Sequence, residues 1–321
     1  MKTLISNYSN KRVAITGGSG YIAGALLAAL KNSNTSVLRV SRSLLPEVSG
    51  INTLQADLSE PAAWETIVEE ADIIFHLSGN TSIYAAAKYP VDSLQSTLLP
   101  ILHLINAAQK RKKKPRVVFA STVTLYGLVK ELPVDETRSP APATIYDLHK
   151  FFSEEQLKLA SQQNLLEPVI MRLANVYGPS SGSSSSNDRG ILNRIVKQAM
   201  AGEKLSIYGD GNYIRDYVHI NDVVAAFLTA GLADNISGEV FNISTGRGIT
   251  VAKAFNLAAD KVEKLKGVKS CICSVEWPDG SDPLERRDFI GDNRKLQRMT
   301  GLIPQINLEE GIDSLISYYA S

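Results

Sequence analysis

A short strand, a glycine-rich turn and the start of a helix follow one another between Arg12 and Gly24. The run from Val13 to Ile15 is apolar, as in a buried strand, and the apolar spacing after the turn is that of a helix. In such a unit, backbone N–H groups and a helix N-terminus converge on one point and form an anion cradle. The motif Gly18-x-Gly20-x-x-Ala23 fits the dinucleotide fingerprint, with alanine in its third place. The segment therefore predicts a dinucleotide-phosphate site after the first strand of an α/β sheet.

Strands and helices alternate along the first half of the chain. Apolar runs predict further strands over 37–41, 53–56, 72–77, 116–120 and 168–173. Helices are predicted over 61–70, 92–110 and 144–163, with Pro100 as a point of disturbance in the second. Continuously apolar strands separated by helices indicate a parallel sheet that is covered on both faces. We therefore expect an α/β fold with a doubly wound, Rossmann-like parallel sheet, and ligands at the carboxyl ends of its strands.

The pattern changes after Val176. The helices expected beyond it, with short strands between them, are 191–201, 221–232, 251–265, 293–300 and 308–318. We expect a dinucleotide-binding domain over 1–176 and a smaller C-terminal α/β substrate lobe over 177–321, with about 214–243 returning to pack on the first domain. The serine-rich stretch 180–188 is either plain disorder or a substrate lid, since it follows a strand end.

Composition argues against several classes of partner. A formal net charge of +1 gives no sign of nucleic acid or membrane binding, and the basic run 110–114 is interpreted as a solvated helix end. Cys271 and Cys273 provide neither a disulfide framework nor a metal-ligand set, so no metal is expected. No signal peptide precedes the first strand, and no apolar run is long enough to span a bilayer. We therefore expect a cytoplasmic protein.

The spacing Tyr-x-x-x-Lys occurs at Tyr84/Lys88, Tyr126/Lys130 and Tyr146/Lys150. On a helix this spacing places both side chains one turn apart, which is also typical of two ordinary surface residues. Only the third pair opens a long helix after the fifth strand. With the glycine turn and Ser121-Thr122 after that strand, it gives the chain a resemblance to the extended short-chain dehydrogenase/reductases, nearest to their nucleotide-sugar epimerase and dehydratase branch. Further matches are His76-Leu77-Ser78, Ser121 to Gly127, Asn175 to Pro179, Gly209-Asp210-Gly211, Arg215-Asp216 and Gly301 to Pro304.

The resemblance implies that Thr122, Tyr146 and Lys150 are catalytic. A tyrosine hydroxyl normally titrates near pH ~10, and a lysine ammonium one turn away favours its phenolate form. Tyr146 could then take a proton from a sugar hydroxyl as hydride leaves the same carbon. Thr122 would hold the same oxygen, although a hydroxyl at a strand end can also simply cap local backbone.

The resemblance also implies a cofactor path. Its members are Gly17, Gly20, Tyr21 and Ile22 at the glycine turn, Asp57 and Leu58 beside the adenine, and Leu77, Ser78 and Gly79 farther along, with Tyr146 and Lys150. NAD binders usually carry an acidic residue at the end of the second strand, where this chain has Ser41, Arg42 and Ser43. A guanidinium between two hydroxyls suits a 2′-phosphate, so we expect NADP, with NAD as second choice; Arg42 could also be an ordinary surface arginine.

The implied substrate is a nucleotide-diphosphate sugar, with Thr124, Asn175 and Arg215 as its contacts. Asn175 could instead bond only backbone, and Arg215 could pair with Asp216 or Asp222.

Four positions differ from patterns found in the family. Val123 and Thr124 replace the acidic pair of the 4,6-dehydratases, which argues against that reaction. Thr97 stands where relatives have asparagine. The position of the family's late diphosphate arginine falls on Asp282, so Arg286 or Arg287 would have to replace it.

Three functions remain open on this basis. The first is a 4-epimerase that oxidises and re-reduces C4 of the sugar. The second is an NADPH-dependent 4-ketosugar reductase, which Arg42 favours. The third is a non-catalytic cofactor-binding member of the fold.

By resemblance we also expect a homodimer, formed by the helices around 92–110 and 144–163. His76 and His219 are poor metal candidates, because no ligand cluster surrounds them.

Overall fold

The protein was analysed as a computed structural model, which describes residues 1–110, 114–180 and 190–321. Its strands are β1 (Arg12–Thr16), β2 (Ser36–Ser41), β3 (Ile51–Gln55), β4 (Ile73–His76), β5 (Arg116–Thr122), β6 (Glu167–Leu173), β7 (Asn175–Tyr177), β8 (Leu205–Tyr208), β9 (Ile214–His219), β10 (Val240–Ile243), β11 (Gly248–Thr250) and β12 (Ile272–Val275). Its helices are α1 (Lys2–Ser6), α2 (Tyr21–Leu30), α3 (Pro61–Glu70), α4 (Ile83–Lys88), α5 (Pro90–Thr97), α6 (Leu99–Gln109), α7 (Ile145–Gln162), α8 (Ile191–Met200), α9 (Ile220–Leu232), α10 (Val251–Lys266), α11 (Arg294–Thr300) and α12 (Leu308–Ala320). Short 3-10 turns cover Val123–Tyr126 and Pro283–Arg286.

A seven-stranded sheet in the order β10-β6-β5-β4-β1-β2-β3 is the centre of the fold. All of its strand pairs are parallel, and β1 pairs with β2 on one side and with β4 on the other. The predicted doubly wound, Rossmann-like parallel sheet is therefore confirmed. The carboxyl ends of β1, β2, β4 and β5 lie along one edge, which is where such sheets bind ligands.

Both faces of this sheet are buried, which explains why its strands are continuously apolar. Val13 and Ile15 of β1 pack against α2 and α9, whereas Ala14 between them packs on the opposite face against α3 and α6. This alternation follows from the two-residue period of a strand. Trp64 of α3 is fully buried on the second face, where its indole N–H donates to the Leu58 carbonyl at 2.9 Å.

A smaller lobe is built around two short sheets, β11-β9-β7 and β12-β8. Its own apolar cluster lies between α8, α10 and α12. Thr250 caps the start of α10, where its hydroxyl accepts from the Lys253 N–H, and Gly267, with a φ of +69°, caps the end. Asn307 and Glu310 form a reciprocal cap at the start of α12. The segment 214–243 divides between the lobes, since β9 lies in the small sheet while α9 packs on β4 and β5 and β10 pairs with β6.

Some elements differ from the expectation. The single helix predicted over 92–110 is two helices, α5 and α6, which meet at Leu98, and Pro100 lies in the first turn of the second. A proline has no N–H to give to the preceding turn, so a helix start is where it fits. Helices α1 and α4 and strand β10 were not predicted.

Two sequence features fall partly outside the description, namely the serine-rich stretch beyond Ser180 and the basic run between Lys110 and Lys114. Within the part of the chain that the structure describes, none of the helices combines the length and the apolar character needed to cross a bilayer.

Candidate active site

The glycine turn joins β1 to α2 and lies against the ends of two neighbouring strands. Gly17 has a φ of +66°. The next residue, Gly18, donates its backbone N–H to the Val40 carbonyl at 2.8 Å. A Cβ on Gly17 would lie 3.1 Å from the Ser78 nitrogen, and one on Gly20 would lie 3.0 Å from the Gly17 carbonyl oxygen. Only residues without a side chain leave this cradle open, as close approach of a phosphate to backbone requires.

A cleft of about 540 Å³ begins at this turn and runs across the carboxyl ends of β1, β2 and β4. Ten of the sequence-predicted cofactor residues line it, namely Gly17, Gly20, Ser41, Arg42, Ser43, Asp57, Leu58, Leu77, Ser78 and Gly79. Several lining residues were missed by sequence reasoning, including Asn80, Ser96 and Pro100. They belong to the loop after β4 and to α5 and α6, which carry no motif of their own.

Two predicted cofactor residues, Tyr21 and Ile22, have other neighbours. The Tyr21 hydroxyl donates to the Gly178 carbonyl and accepts from the Asn193 side-chain amide at 3.3 Å. Burial raises the pKa of Tyr21. Ile22 packs against the main apolar cluster. Tyr21 therefore ties the helix that begins the cleft to residues of the second lobe.

The far end of the cleft lies beside Arg42. Arg42 is exposed, its own carbonyl accepts from the Gln55 amide at 3.2 Å, and the Ser43 N–H donates to the Ser41 hydroxyl at 3.3 Å. Bonds from the Ser59 backbone lower the pKa of Asp57, and the nearby charge of Arg42 contributes to the same shift. The Arg42 guanidinium therefore belongs to a cleft-lining segment whose backbone is fixed by these hydrogen bonds.

Helix α7 carries Tyr146 in its first turn and Lys150 one turn later. Both are buried, and only 4% of Lys150 is exposed. The Lys150 ammonium donates to the Ala120 carbonyl of β5 at 2.8 Å and lies 4.6 Å from the centre of the Phe119 ring. A Cβ on Gly79 would lie 3.5 Å from Lys150 Nζ, so the ammonium is at the end of the cleft.

Burial separates this pair from the other two with the same spacing. Tyr84 is 48% exposed and Lys88 is exposed. Tyr126 is buried but donates to the Asn242 side chain at 2.9 Å, while Lys130 is exposed. Only Tyr146 and Lys150 are buried together beside the cleft.

Two threonine hydroxyls and one carboxylate form a chain next to Tyr146. Thr122 Oγ1 lies 2.8 Å from Thr124 Oγ1, and the Thr124 hydroxyl donates in turn to Asp147. The fully buried Asp147 also accepts from the Thr144 hydroxyl at 2.7 Å, and Thr144 caps α7. Sequence reasoning missed Asp147. The available signal was the spacing Thr144-x-x-Asp147 at a helix start, which is that of an N-terminal cap.

Two half-buried arginines, Arg215 and Arg287, are among the predicted substrate contacts. Arg215 donates to three backbone carbonyls, those of Ile214 at 3.0 Å, Glu285 at 2.5 Å and Arg287. Burial lowers the pKa of Arg215. The pKa of Arg287 is lowered to about 10, first by burial and then by the charge of Arg215, while the negative charge of Asp147 opposes both.

Of the two arginines that could replace the family's late one, Arg287 lies inward. Its Nε is buried and has no hydrogen-bond partner among the described residues. Arg286 instead stacks 5.0 Å from the Trp277 ring and donates to Ser281. Asn175 is half-buried at the first position of β7.

The alternative pairings of Arg215 are not present in the described residues. Asp216 accepts from Thr245, Gly246 and Gly291, and Asp222 accepts from the Gln305 and Ile306 N–H groups. Both acids therefore hold loops together and leave Arg215 to the backbone carbonyls.

Two further residues support the site. Thr97, at the family's asparagine position, accepts from the Asn80 N–H at 3.4 Å and its carbonyl accepts from the Ser153 hydroxyl at 3.3 Å, so it links α5 to the loop after β4 and to α7. His76 bonds Thr16 at 2.8 Å, and burial, followed by the charge of Lys150, lowers its pKa to about 3. Residues 1–110, 114–180 and 190–321 contain no group of three or more His, Cys, Asp or Glu side chains that could hold a metal.

Comparison with known proteins gives consistent results along the whole chain. The UDP-glucose 4-epimerase of Azospirillum brasilense is 24% identical over 325 residues, which are 95% of this chain and 90% of that protein. The GDP-6-deoxy-D-mannose reductase of Pseudomonas aeruginosa is 28% identical over 324 residues, or 97% of this chain and 98% of that one. The crystal structure of the Thermotoga maritima UDP-glucose 4-epimerase with UDP-glucose superimposes with a TM-score of 0.85 at 28% identity, covering 96% of this chain and 98% of that chain.

The model of the NAD dependent epimerase/dehydratase family matches residues 13–244, from the first residues of β1 to the end of β10. That span contains the glycine turn, the cleft, and the buried Tyr146 and Lys150. The resemblance to the extended short-chain dehydrogenase/reductases of nucleotide sugars is thereby confirmed, and the chain belongs to the NAD dependent epimerase/dehydratase family.

Proposed function

We propose that the protein is a nucleotide-sugar 4-epimerase that binds NADP and oxidises and re-reduces C4 of the sugar. The observation that carries this is the position of Tyr146 and Lys150, buried together at the end of the dinucleotide cleft. Thr122 ends the strand that Lys150 contacts through the Ala120 carbonyl. A buried base, a fixed cation and a hydroxyl at one strand end are the set that proton transfer at a sugar hydroxyl requires.

Each residue has a distinct part in this proposal. Tyr146 holds and moves the proton of the sugar 4-hydroxyl. Lys150, fixed by Ala120, places a positive charge beside Tyr146 and so stabilises negative charge on its oxygen. Thr122 bonds the same sugar oxygen and fixes its position. The nicotinamide, when bound, supplies the reversible hydride acceptor.

The cofactor preference rests on Arg42. The glycine cradle and the open cleft suit any dinucleotide, but Arg42 supplies the only charged donor in the segment Ser41–Ser43. Guanidinium groups pair strongly with phosphate oxygens, which favours NADP and its 2′-phosphate over NAD.

The substrate proposal rests on Arg215 and Arg287. Of the five donors of a guanidinium, Arg215 uses three within the described residues, so two remain for a ligand. The Nε of Arg287, which has no partner in the described part of the chain, is a further donor that would gain an acceptor from an anion. We propose that both contact the diphosphate, with Thr124 and Asn175 on the sugar side.

A matched pair of variants tests the chemistry. The substrate probe is UDP-glucose, which the Thermotoga maritima relative binds in its crystal structure. Tyr146→Phe should lower turnover by roughly 10²- to 10⁴-fold, the range for loss of a positioned acid–base group. Tyr84→Phe is the control, because Tyr84 has the same spacing to a lysine but is exposed. Equal activity of Tyr146→Phe and wild type would refute the role of Tyr146 as the acid–base group.

A 4-ketosugar reductase is the second candidate. Two observations favour it, the arginine at position 42 and the similarity to the GDP-6-deoxy-D-mannose reductase. An epimerase regenerates its cofactor, whereas a reductase consumes NADPH. Incubation with a nucleotide 4-ketosugar and NADPH therefore distinguishes the two: stoichiometric loss of NADPH excludes the epimerase, and interconversion of 4-hydroxy sugars without net cofactor change excludes the reductase.

We also propose that 4,6-dehydration is not catalysed. That reaction needs one group to remove a proton and another to protonate the leaving hydroxyl, and Val123 and Thr124 provide neither. The nearby carboxylate of Asp147 is engaged by the hydroxyls of Thr124 and Thr144. Formation of a 4-keto-6-deoxy sugar by the purified protein would refute this.

A further inference from the structure

A buried carboxylate lies one helical turn from the Lys150 ammonium. Glu154 follows Lys150 by four residues on α7, so the two side chains share one face of the helix. Both reach β5, where Lys150 donates to the Ala120 carbonyl at 2.8 Å and the Ser121 hydroxyl donates to Glu154 Oε1 at 2.5 Å. Oppositely charged side chains four residues apart on a helix attract each other, so Glu154 is a natural competitor for the Lys150 ammonium.

Glu154 is paired instead with Arg172 of β6, and both partners are buried. The Arg172 Nη2 donates to Glu154 Oε2 at 2.6 Å, and its Nε lies 3.1 Å from Oε1 and 3.3 Å from Oε2. A carboxylate has about four acceptor sites, and with the bond from Ser121 these contacts fill them. The carboxylate of Glu154 is thus fully engaged, and the Lys150 ammonium is directed to the Ala120 carbonyl beside the cleft.

The sheet fixes this arrangement close to the proposed chemistry. Arg172 is the register partner of Ser121, which directly precedes Thr122 in β5. Charges in the interior are weakly screened, so a carboxylate without its guanidinium would act strongly on a nearby ammonium. It would offset the positive charge that Lys150 places beside Tyr146.

We propose that Arg172 is a positioning residue that prevents Glu154 from binding the Lys150 ammonium. The inference rests on the proposed function for the role of Lys150 beside Tyr146. Arg172 acts by engaging the carboxylate and not by touching a ligand. Its loss moves the ammonium from the Ala120 carbonyl to Glu154 and lowers the positive charge that stabilises the Tyr146 phenolate.

Other titratable groups around Tyr146 also have to be considered in any test. Asp147 follows it on α7 and interacts with the charge of Arg287. His76 of β4 interacts with Lys150 but is neutral above its pKa, which burial lowers to about 3. These groups are the same in every variant used below, so a difference between variants reports the pairing of the Lys150 ammonium.

The test uses variants at position 172, with the Tyr146 phenolate as the reporter. Its ultraviolet absorbance is the difference between each protein and its Tyr146→Phe counterpart over a pH titration. In Arg172→Met the midpoint should rise by about one pH unit or more, because a nearby opposite charge lowers a pKa by about 1–3 units and Glu154 would offset that charge. Should this variant fail to fold, Arg172→Gln, whose amide still donates to Glu154, carries the same expectation. Arg172→Lys keeps a cation beside Glu154 and should keep the wild-type midpoint.

A rescue experiment separates this role from a loss of packing. Arg172→Met combined with Glu154→Gln removes both charges, and replacement of a buried ion pair is often tolerated. The midpoint should return to the wild-type value. Arg116→Met is the matched control, because Arg116 pairs with Glu167 at the start of β5, at the other end of the strand from Thr122. If Arg172 were only structural, every folded variant would keep the wild-type midpoint, and that result would overturn the proposal.

The position of Lys150 is a second readout that needs no substrate. A crystal structure of Arg172→Met or Arg172→Gln should show the ammonium bonded to Glu154, and an ammonium still on the Ala120 carbonyl would also overturn the proposal. With UDP-glucose, the same variants should lower kcat by about tenfold or more at nearly unchanged KM, and the double variant should recover it. If the wild type does not convert UDP-glucose, the proposed function fails, and the midpoints and the crystal structure still decide the inference.

Discussion

His76 is a fully buried histidine at the end of β4, between the rings of Trp64 and Phe119. Its pKa in the folded protein, about 3, is well below the value of about 6.5 expected for an unfolded chain. Between these two values the unfolded state binds more protons, so the free energy of unfolding must fall as the pH drops. His219, whose pKa burial lowers to about 4, adds to the effect in the same range.

A substitution at His76 tests this pH dependence. We expect the free energy of unfolding of the wild type to fall steadily from about pH 6.5 towards pH 4. Over this range the two histidines take up protons in the unfolded chain but stay neutral in the folded protein. His76→Phe should show a flatter dependence, because an aromatic ring still packs between Trp64 and Phe119 but no longer titrates. Urea denaturation at pH 7, 6 and 5 measures the slope. An unchanged slope in the variant would contradict the assignment to His76.

We expect Arg42 alone to set the proposed preference for NADP. Arg42→Ala should weaken NADPH binding by roughly 10- to 100-fold, as loss of charge-assisted bonds worth about 1.5–3 kcal/mol implies, and should leave NADH binding nearly unchanged. Fluorescence titration with both cofactors measures the two affinities. Arg138→Ala is the control, because Arg138 is exposed and does not line the cleft. Equal losses for the two cofactors would show that Arg42 does not select the 2′-phosphate.

At the scale of elements, the turn between β1 and α2 allows a prediction about what an added side chain would do there. Gly17 and Gly50 both have a left-handed φ, +66° and +79°. A Cβ on Gly50 meets only the Lys31 carbonyl oxygen, at 3.9 Å, whereas one on Gly17 meets the backbone after β4 at 3.1 Å.

Alanine at either position should therefore lower the free energy of unfolding by about 1–2 kcal/mol from backbone strain. Only Gly17→Ala should also weaken dinucleotide binding, because it narrows the cradle. Thermal unfolding of both variants measures the cost of backbone strain. Cofactor titration of both variants measures the effect of the added methyl group on the cradle. The expectation fails if Gly50→Ala loses cofactor affinity to the same extent.

Most elements could be predicted, because both the apolar periodicity of a helix or strand and the residues that end it are local in the sequence. Helix α3 was predicted with its observed bounds, and α7 differs by a residue at each end. Strand β10 could not be predicted as part of the large sheet, because its partner β6 lies about 70 residues earlier and a run of four residues, three of them apolar, carries no record of that pairing. The break between α5 and α6 falls at Leu98, two residues before Pro100, where the sequence indicated a disturbance.

The same reason limits prediction of the site. The cradle, the cleft residues and the Tyr146/Lys150 pair follow from motifs within one strand–turn–helix unit each. The bonds from Thr124 to Asp147 and from Arg215 to Arg287 join residues 23 and 72 positions apart. No local pattern contains such contacts. The cap spacing Thr144-x-x-Asp147 indicates a helix start but not the bond from Thr124, and the choice between Arg286 and Arg287 stayed open for the same reason.

At the scale of the whole molecule, α6 and α7 are neighbours that expose large apolar side chains. Leu102 is 41% exposed and Phe152 is 44% exposed, with Leu94 and Leu159 similarly placed on α5 and α7. We expect a homodimer that covers these residues. Light scattering should give twice the monomer mass for wild type, and Leu102→Glu with Phe152→Glu should give the monomer, because two buried charges per subunit are unfavourable.

Leu265→Glu is the control, since Leu265 is 54% exposed at the end of α10 in the other lobe. It should leave the mass unchanged. A wild-type protein that scatters as a monomer at all concentrations would rule out this assembly.

The return of β10 to the large sheet decides how the chain can be divided. A fragment ending at residue 176 would keep the glycine cradle and the catalytic residues, yet it would leave the outer edge of β6 without its partner. Unpaired strand edges are templates for aggregation. We therefore expect that fragment to precipitate on expression. Along the chain, strands of the second lobe lie between β6 and β10, which are neighbours in the large sheet. A soluble cofactor-binding fragment would therefore need a new linker that joins β6 to α9 and β10.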